Sequence, residues 1–159
     1  MIRTTGHEFE EDILCRVSIE ASVKSGWRPY EEALGLVRKN QPKGWDPTDP
    51  PSHEASDLHC LVCDALGEDD YSQCGLFTAL GSSLDVHHGV DAFFEYMGTV
   101  VTIDVTLNTK KRDHKANFVV QAETFENVEL LRLVAESIAR TFFQKLGPKR
   151  SPARVEVAA

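Results

Sequence analysis

Two aspartates in the middle of the chain have the residue type and the spacing to hold a metal ion together. Asp91 and Asp104 each occur in a run rich in β-branched and aromatic residues, VDAFFEY and TVVTIDVTL, where aspartate is disfavoured. The two runs are joined by Met97 and Gly98, and a two-residue connection ending in glycine is typical of a tight β-turn. The sequence therefore predicts a β-hairpin over residues 90 to 107.

The position of the turn fixes which residues face one another. Tyr96 pairs with Thr99, so Asp91 lies opposite Asp104. Side chains at such positions lie within about 5.5 Å, and two carboxylates there repel unless a cation or a shared proton offsets the repulsion. Hard carboxylate ligands favour Mg²⁺ or Mn²⁺. The alternative interpretation places both aspartates on a solvated face of the hairpin.

Alternation along the hairpin predicts one apolar face and one mixed face. The apolar face, which we expect to lie in the core, consists of Val90, Ala92, Phe94, Val101, Ile103 and Val105. The mixed face consists of Asp91, Phe93, Glu95, Val100, Thr102, Asp104 and Thr106.

The remaining elements are predicted from periodicity and from turn-forming residues. Apolar residues at helical spacing predict a first helix over 6 to 24, a shorter one over 30 to 38, and two short helices between Ser56 and Leu80, the second of them around Cys74, Phe77 and Leu80. A proline-rich stretch, residues 40 to 52, predicts a loop. Further elements expected are a strand over 116 to 122, an amphipathic helix over 126 to 146 and a short edge strand over 153 to 158.

Length and charge narrow the class of protein. A chain of 159 residues suffices for one domain with its own core. The net charge of −8 argues against a protein that coats DNA. It leaves room for an enzyme with an acidic metal site and a local basic patch, for which Lys110, Lys111 and Arg112 are the candidates. No apolar run is long enough to span a membrane, and the acidic N-terminal segment, unlike a secretion signal, predicts a cytoplasmic protein.

The order helix, hairpin, strand, helix, strand, with an acid on each hairpin strand, resembles the PD-(D/E)xK nuclease superfamily. The resemblance covers residues 6 to 24 and 85 to 158, with 26 to 84 as a helical insertion in a single domain. It implies a restriction endonuclease-like αβββαβ core, a mixed sheet flanked by helices. Gly6, Phe9 and Glu10 look like the family's Gly-x-x-Phe-Glu start of the first helix.

The resemblance implies a metal-dependent endonuclease or exonuclease, with Asp91 and Asp104 as the two strand acids and Glu10 as a third ligand. It also implies Mg²⁺ or Mn²⁺ as cofactor, DNA in preference to RNA as partner, and a homodimer. The family's lysine belongs two residues after the second acid, where this chain has Thr106. Lys115 could replace it, because it has the parity of the polar positions of the third strand, but it could equally be a solvated lysine.

Two histidines and three cysteines complete the candidates. His88, with His87 beside it, precedes Asp91 closely enough to act as an accessory base or phosphate contact. Cys60, Cys63 and Cys74 permit a structural zinc site, although one C-x₂-C on a helix is more typical of buried thiols. Two other functions thus stay open: a nuclease-like fold that has lost catalysis and serves binding or assembly, and a zinc-stabilised interaction protein.

Overall fold

The hairpin forms the centre of a four-stranded mixed sheet. The computed structural model describes residues 6–17, 26–107 and 115–147. Its strands are adjacent in chain order: β1 (Cys74–Thr78), β2 (Ala92–Tyr96), β3 (Thr99–Thr106) and β4 (Phe118–Gln121). β2 is antiparallel to both of its neighbours, whereas β4 runs parallel to β3. Helices flank the sheet, so the predicted α/β class with a mixed sheet is confirmed.

The hairpin has the register that its turn dictates. Tyr96 lies opposite Thr99, and Ala92 lies opposite Ile103. Met97 and Gly98 have φ values of 51° and 76°, the two consecutive positive values that a type I′ turn requires. The predicted hairpin is therefore confirmed, with strands slightly shorter than the predicted range.

The helices begin and end largely where capping residues occur. They are α1 (Gly6–Ile13), α2 (Tyr30–Lys39), α3 (His53–Leu66), α4 (Ser83–His88), α5 (Ala122–Phe125) and α6 (Val128–Leu146). The Ser52 hydroxyl accepts from Ala55 N–H at the start of α3, and the Asn127 side chain does the same for Glu129 N–H and Leu130 N–H at the start of α6. None of the described helices is long and apolar enough to cross a membrane.

The sheet separates two cores. The first core packs α1, α3 and α6 against one face of the sheet and includes Leu76, Phe94, Ile103, Val105 and Phe142. The second core packs α2 and α4 against the other face, and its members are Val17, Ala33, Leu34, Val37, Ala79, Leu84, Val90 and Phe93. Neighbouring residues such as Phe93 and Phe94 thus enter different cores, as alternation along a strand requires.

The first helix is shorter than predicted. α1 ends at Ile13, and residues 14–17 are not helical. Tertiary hydrogen bonds replace the helical ones here, because Val17 N–H donates to the Leu80 carbonyl at 2.9 Å and Thr78 Oγ1 donates to the Cys15 carbonyl at 2.6 Å. The part of the predicted helix from 18 to 24 lies outside the described residues.

The predicted helix around Cys74 is wrong, since Cys74–Thr78 is strand β1. Its residues alternate between buried and half-buried, and Cys74, Leu76 and Thr78 fit this period of two. The spacing of Cys74 and Phe77 also fits a helix, so the short segment is compatible with both structures. The segment from 26 to 84 is therefore not an all-helical insertion, because it supplies the edge strand that pairs with β2.

The remaining predictions differ from the structure mainly at element boundaries. β4 occupies four residues of the predicted strand from 116 to 122, and the predicted helix from 126 to 146 corresponds to α6 preceded by the single turn α5. Val90 was predicted on the apolar face of the hairpin, but it packs in the second core. It precedes β2, and its N–H donates to the Leu84 carbonyl of α4. The edge strand expected over 153 to 158 lies outside the described residues.

Candidate functional site

Asp91 is held immediately before β2 by both of its backbone polar groups. Its N–H donates to the Ile103 carbonyl at 3.0 Å, and its carbonyl accepts from Ala79 N–H at 2.8 Å. The side chain also joins the hairpin, since Oδ2 accepts from Val105 N–H at 2.8 Å. The carboxyl group therefore has a fixed position beside β3, the strand that carries Asp104.

Both acids are buried, contrary to the alternative in which they face solvent. Asp91 is 3% exposed and Asp104 is 4% exposed. They lie on the sheet face that carries Phe93, and α2 and α4 cover that face. Burial of two carboxyl groups is costly unless a proton, a cation or hydrogen bonds offset their charge.

A third aspartate joins the pair from α4. Burial, hydrogen bonds shared with the carboxyl groups of Asp104 and Asp85, and the charges of these two groups together raise the pKa of Asp91 to about 11. Asp91 therefore holds a proton at neutral pH. With Asp91 and Asp104 buried and Asp85 half-buried, the three carboxyl groups form a cluster, which we call the acidic cluster (Asp85, Asp91 and Asp104).

Asp85 was missed by the sequence analysis, although a local signal marks it. Ser82 caps α4 and its hydroxyl accepts from Asp85 N–H, while Asp85 Oδ2 accepts from Gly81 N–H at 2.8 Å. This reciprocal arrangement is close to a capping box, which a serine followed three residues later by an acid indicates. The box fixes the orientation of Asp85, and Gly89 ends the helix in the left-handed region two residues before Asp91.

Lys115 lies next to the end of α4. A Cβ added to Gly89 would lie 3.5 Å from Lys115 Cβ and 3.7 Å from its Cγ and Cδ, so the aliphatic part of this lysine packs over Gly89. The side chain as a whole is exposed. Lys115 thus borders the segment that leads into Asp91.

The other candidates are distributed around this centre. Thr106, at the position where the resemblance expects lysine, is buried and pairs with Gln121 of β4. Glu10 is half-buried on α1, a helix that packs against β3. His88 is directed to the segment before α2, since its Nε2 donates to the Arg28 carbonyl at 2.8 Å. Lys110, Lys111 and Arg112 lie outside the described residues.

Cys63 and Cys74 form a separate buried group in the first core, while Cys60 is half-buried. The His59 Nε2 lies 2.7 Å from the Cys74 carbonyl oxygen and 3.6 Å from Cys63 Sγ. Hydrogen bonds with the Cys74 thiol and with His59 lower the pKa of Cys63 to about 6 despite its burial. The pKa of Cys74 is raised by the hydrogen bond with Cys63 and by burial, and burial also raises the pKa of Cys60.

Neither group is a preformed metal cage. Among residues 6–17, 26–107 and 115–147, no three or more His, Cys, Asp and Glu side chains are arranged so that they could hold a metal ion by themselves. Mg²⁺ usually binds one or two carboxylates and completes its coordination with water and substrate phosphates, so an acid pair suffices for it. A structural zinc site requires four protein ligands, and the zinc alternative stays a prediction.

Comparison with known proteins adds no family to this description. The chain matches no family model, no curated protein and no solved structure. The fold and the acidic cluster are therefore the basis for the function proposed below.

Proposed function

We propose that this protein is a metal-dependent nuclease that hydrolyses phosphodiester bonds of DNA in the cytoplasm, with Asp91 and Asp104 as the metal ligands. The observation that carries the proposal is the buried contact between these two carboxyl groups, which the hairpin register brings together. Paired acids on the inner face of a sheet are costly to stability. Such a cost is typical of functional sites, where ionisable groups have strongly shifted pKa values.

The donor set fits a hard divalent cation. Asp91 and Asp104 offer carboxylate oxygens, which Mg²⁺ and Mn²⁺ prefer, and the proton on Asp91 already offsets the repulsion that a cation would offset. Glu10 is the third ligand that the resemblance implies, although α1 packs in the first core, on the sheet face opposite Asp91 and Asp104. A bound divalent ion would polarise a phosphate oxygen and lower the pKa of a coordinated water.

Lysines supply the positive charge that phosphodiester cleavage needs. We assign to Lys115 the stabilisation of the negative charge that develops on the phosphate, since Thr106 has no charge to offer. Lys110, Lys111 and Arg112 would contact the phosphate backbone, a role that suits a basic patch. His88 is a weaker candidate for direct chemistry, because its Nε2 is bonded to the Arg28 carbonyl.

The architecture supports a restriction endonuclease-like core without reproducing it fully. A first helix packs against the sheet, and a hairpin carries one acid at each strand. The described sheet has four strands before α6, however, where the αβββαβ order has three before its second helix. The homodimer that the resemblance implies belongs to the same proposal, and light scattering of the purified protein tests it.

The second candidate is a nuclease-like module that binds nucleic acid without cleaving it. The observation that favours it is Thr106, which is buried at the position of the missing lysine. In that case the acidic cluster would still bind a cation but would no longer take part in catalysis. Cleavage, with binding measured separately, distinguishes the two candidates.

The decisive experiment is a nuclease assay with Mg²⁺ or Mn²⁺ on single-stranded, double-stranded and branched DNA. We expect Asp104→Asn to lower cleavage at least about 100-fold, whereas the exposed control Asp69→Asn should cleave like the wild type. Lys115→Gln should lower kcat by about 100-fold with little change in KM, while Lys43→Gln, at another exposed lysine, should not. Equal cleavage by wild type and Asp104→Asn would contradict the assigned site. Binding of DNA without cleavage would support the second candidate.

A further inference from the structure

Three aromatic rings lie side by side on the surface next to α4. The ring centroid of His88 lies 6.2 Å from that of Trp27 and 5.7 Å from that of Tyr30. Trp27 is 61% exposed and Tyr30 is 38% exposed. We call this surface the aromatic strip (Trp27, Tyr30 and His88). Large aromatic side chains with this exposure contribute little to folding and are typical of binding surfaces.

The strip is held in place by hydrogen bonds to α4. His88 Nε2 donates to the Arg28 carbonyl, and Arg28 N–H donates to Ser83 Oγ at 3.1 Å. These two bonds connect the segment before α2 to both ends of α4. The rings are therefore presented on a fixed backbone, which lowers the entropy lost when a ligand binds.

Tyr30 also lines a groove along α2. The groove has a volume of about 370 Å³ and is lined by Tyr30, Glu31, Leu34, Arg38, Gly98, Thr99, Val100 and Lys145. Its two cations face it from opposite walls, Arg38 from α2 and Lys145 from α6. On an α-helix, Tyr30 and Arg38 are about 12 Å apart, which corresponds to three or four phosphate spacings of a stacked strand.

Both cations have donors left for an anion among the contacts of the described residues. Lys145 Nζ donates to the Val100 carbonyl at 2.8 Å and to Asn117 Oδ1 at 3.3 Å, and an ammonium group has a third hydrogen. Arg38 bonds Glu95 Oε1 through Nε at 2.7 Å and Nη2 at 2.6 Å, which leaves Nη1. Because Glu31 and Glu95 offset much of the positive charge, the rings rather than the cations should dominate binding.

The strip and the α2 side of the groove lie on the same side of the sheet as the acidic cluster. α4 carries both His88 and Asp85, and β3 carries Val100 at the groove and Asp104 in the cluster. Val100 and Asp104 have the same parity on β3 and are four residues apart, about 14 Å along a strand. The groove and the acidic cluster are therefore about 14 Å apart on the same face of β3.

We propose that the aromatic strip and the groove bind a single-stranded segment of the nucleic acid substrate, with unpaired bases stacked on Trp27 and Tyr30 and phosphates beside Arg38 and Lys145. The inference rests on the proposed nuclease function and adds its substrate class. Bases present their ring faces to a protein only when they are unpaired, and stacking of this kind is tolerant of sequence. A duplex offers mainly phosphates, for which the balanced charges of the groove are a poor match.

Binding to a labelled oligothymidylate, measured in EDTA so that cleavage is excluded, tests the inference. We expect Trp27→Leu and Tyr30→Ala each to weaken the affinity about tenfold, the range expected for loss of one stacked base. Leu133→Ala is the matched control, because Leu133 is 58% exposed on α6, away from the strip. All three side chains are at least partly exposed, so circular dichroism should show the same fold as the wild type.

The contribution of Lys145 to binding can be tested against a control residue on the same helix, α6. Lys145→Gln should lower the magnitude of the slope of log K against log salt by about 0.7, the loss of one phosphate contact to a single strand. Arg140→Gln, at an exposed residue bonded to Ser137, should leave the slope unchanged. A blunt duplex of equal length should bind at least fivefold more weakly than the single strand.

The outcomes separate this inference from the proposed nuclease function. Wild-type affinity retained by both Trp27→Leu and Tyr30→Ala, or a preference for duplex, would overturn the single-strand site even if DNA is cleaved. Absence of measurable binding to the oligonucleotide by the wild type would overturn it as well. Single-strand binding that depends on Trp27, combined with no cleavage under any metal condition, would support the site and contradict the nuclease function.

Discussion

The protonated state of Asp91 makes the stability of the protein depend on pH. Burial and the neighbouring carboxyl groups raise its pKa from 3.8 to about 11, so between these values the folded state holds a proton that the unfolded state releases. The free energy of unfolding must therefore fall as pH rises, by up to about 1.4 kcal/mol per pH unit. Asp91→Asn holds no such proton and its amide still donates, so we expect it to be more stable than the wild type at pH 8.

Urea denaturation at several pH values between 5 and 9 measures this effect. The free-energy difference between Asp91→Asn and the wild type should increase with pH, whereas Asp69→Asn should follow the wild type throughout. If the wild type loses no more stability than Asp91→Asn over this range, Asp91 is ionised in the folded protein and the carboxyl–carboxyl contact is not protonated.

Divalent cations should compete with that proton. A metal bound between Asp91 and Asp104 needs both groups ionised, so its affinity should rise with pH. At a free concentration ten times Kd the metal stabilises the folded state by about 1.4 kcal/mol, a rise in Tm of about 3 to 5 °C for a chain of this length. Thermal melts with Mg²⁺ and Mn²⁺ should show a larger rise at pH 8 than at pH 6.

The acid pair is also necessary for the thermal effect of the metal. Asp104→Asn should show no metal-dependent rise in Tm, while Asp69→Asn should keep the full rise. An equal rise in all three proteins would indicate binding elsewhere on the acidic surface, and would remove the main support for the metal ligands proposed here.

At the scale of single residues, the sequence pattern predicts which side chains of the hairpin face one another, but it does not predict which helices cover them. The turn at Met97 and Gly98 is sufficient to place Asp91 beside Asp104. Burial of the pair depends on α2 and α4, which pack on that face through tertiary contacts that local periodicity does not reveal. Asp85 entered the cluster for the same reason, because its helix precedes the hairpin and folds back over it.

At the scale of elements, the ends of α4 set the positions of two of the three acids. Gly89 has a φ of 68° and its N–H donates to the Asp85 carbonyl at 3.0 Å. A Cβ there makes only ordinary contact with Lys115, so Gly89→Ala should cost about 1 to 2 kcal/mol of backbone strain. We expect a lower free energy of unfolding in urea and reduced cleavage, because the turn into Asp91 shifts.

Gly35 provides a glycine control with the opposite expected sign. It lies inside α2 with no atom within 4 Å of an added Cβ, so Gly35→Ala should stabilise the protein by about 0.5 to 1 kcal/mol through helix propensity. If Gly89→Ala is as well tolerated as Gly35→Ala, the left-handed end of α4 is not what fixes the acidic cluster.

Elements with strong local signals could be predicted, and elements defined by partners could not. The hairpin, α2 and α6 follow from turn chemistry and apolar periodicity. β1 is only five residues long, and over such a length Cys74, Leu76, Phe77 and Leu80 satisfy both a helical and an extended spacing. Its pairing with β2 selects the strand. α1 ends early for a similar reason, since hydrogen bonds to Thr78 and Leu80 favour an extended chain after Ile13.

At the scale of the whole molecule, the sheet lies between the two cores and contributes side chains to both. Phe93 faces the second core and Phe94 the first, and both are fully buried. Alternation along the hairpin predicts one core face and one mixed face, because Asp91, Glu95 and Asp104 add polar groups to the second. Alternation does not predict that the mixed face is covered, and this cover is what buries Asp91 and Asp104.

Because both cores share β2, the molecule should unfold as one cooperative unit. Phe93→Leu and Phe94→Leu remove similar volume from opposite faces, and each should lower the urea midpoint by a free-energy equivalent of about 1 kcal/mol without changing the m-value.

Two probes can follow the two cores separately. Trp45 belongs to the first core, so its fluorescence in a Trp27→Phe background reports the unfolding of that core alone, whereas far-ultraviolet circular dichroism reports the unfolding of all helices. Coincident transitions by both probes in both variants are expected. A Phe93→Leu variant in which circular dichroism changes before Trp45 fluorescence would show instead that α2 and α4 open separately, which would make the cover of Asp91 and Asp104 a layer that can open to admit substrate.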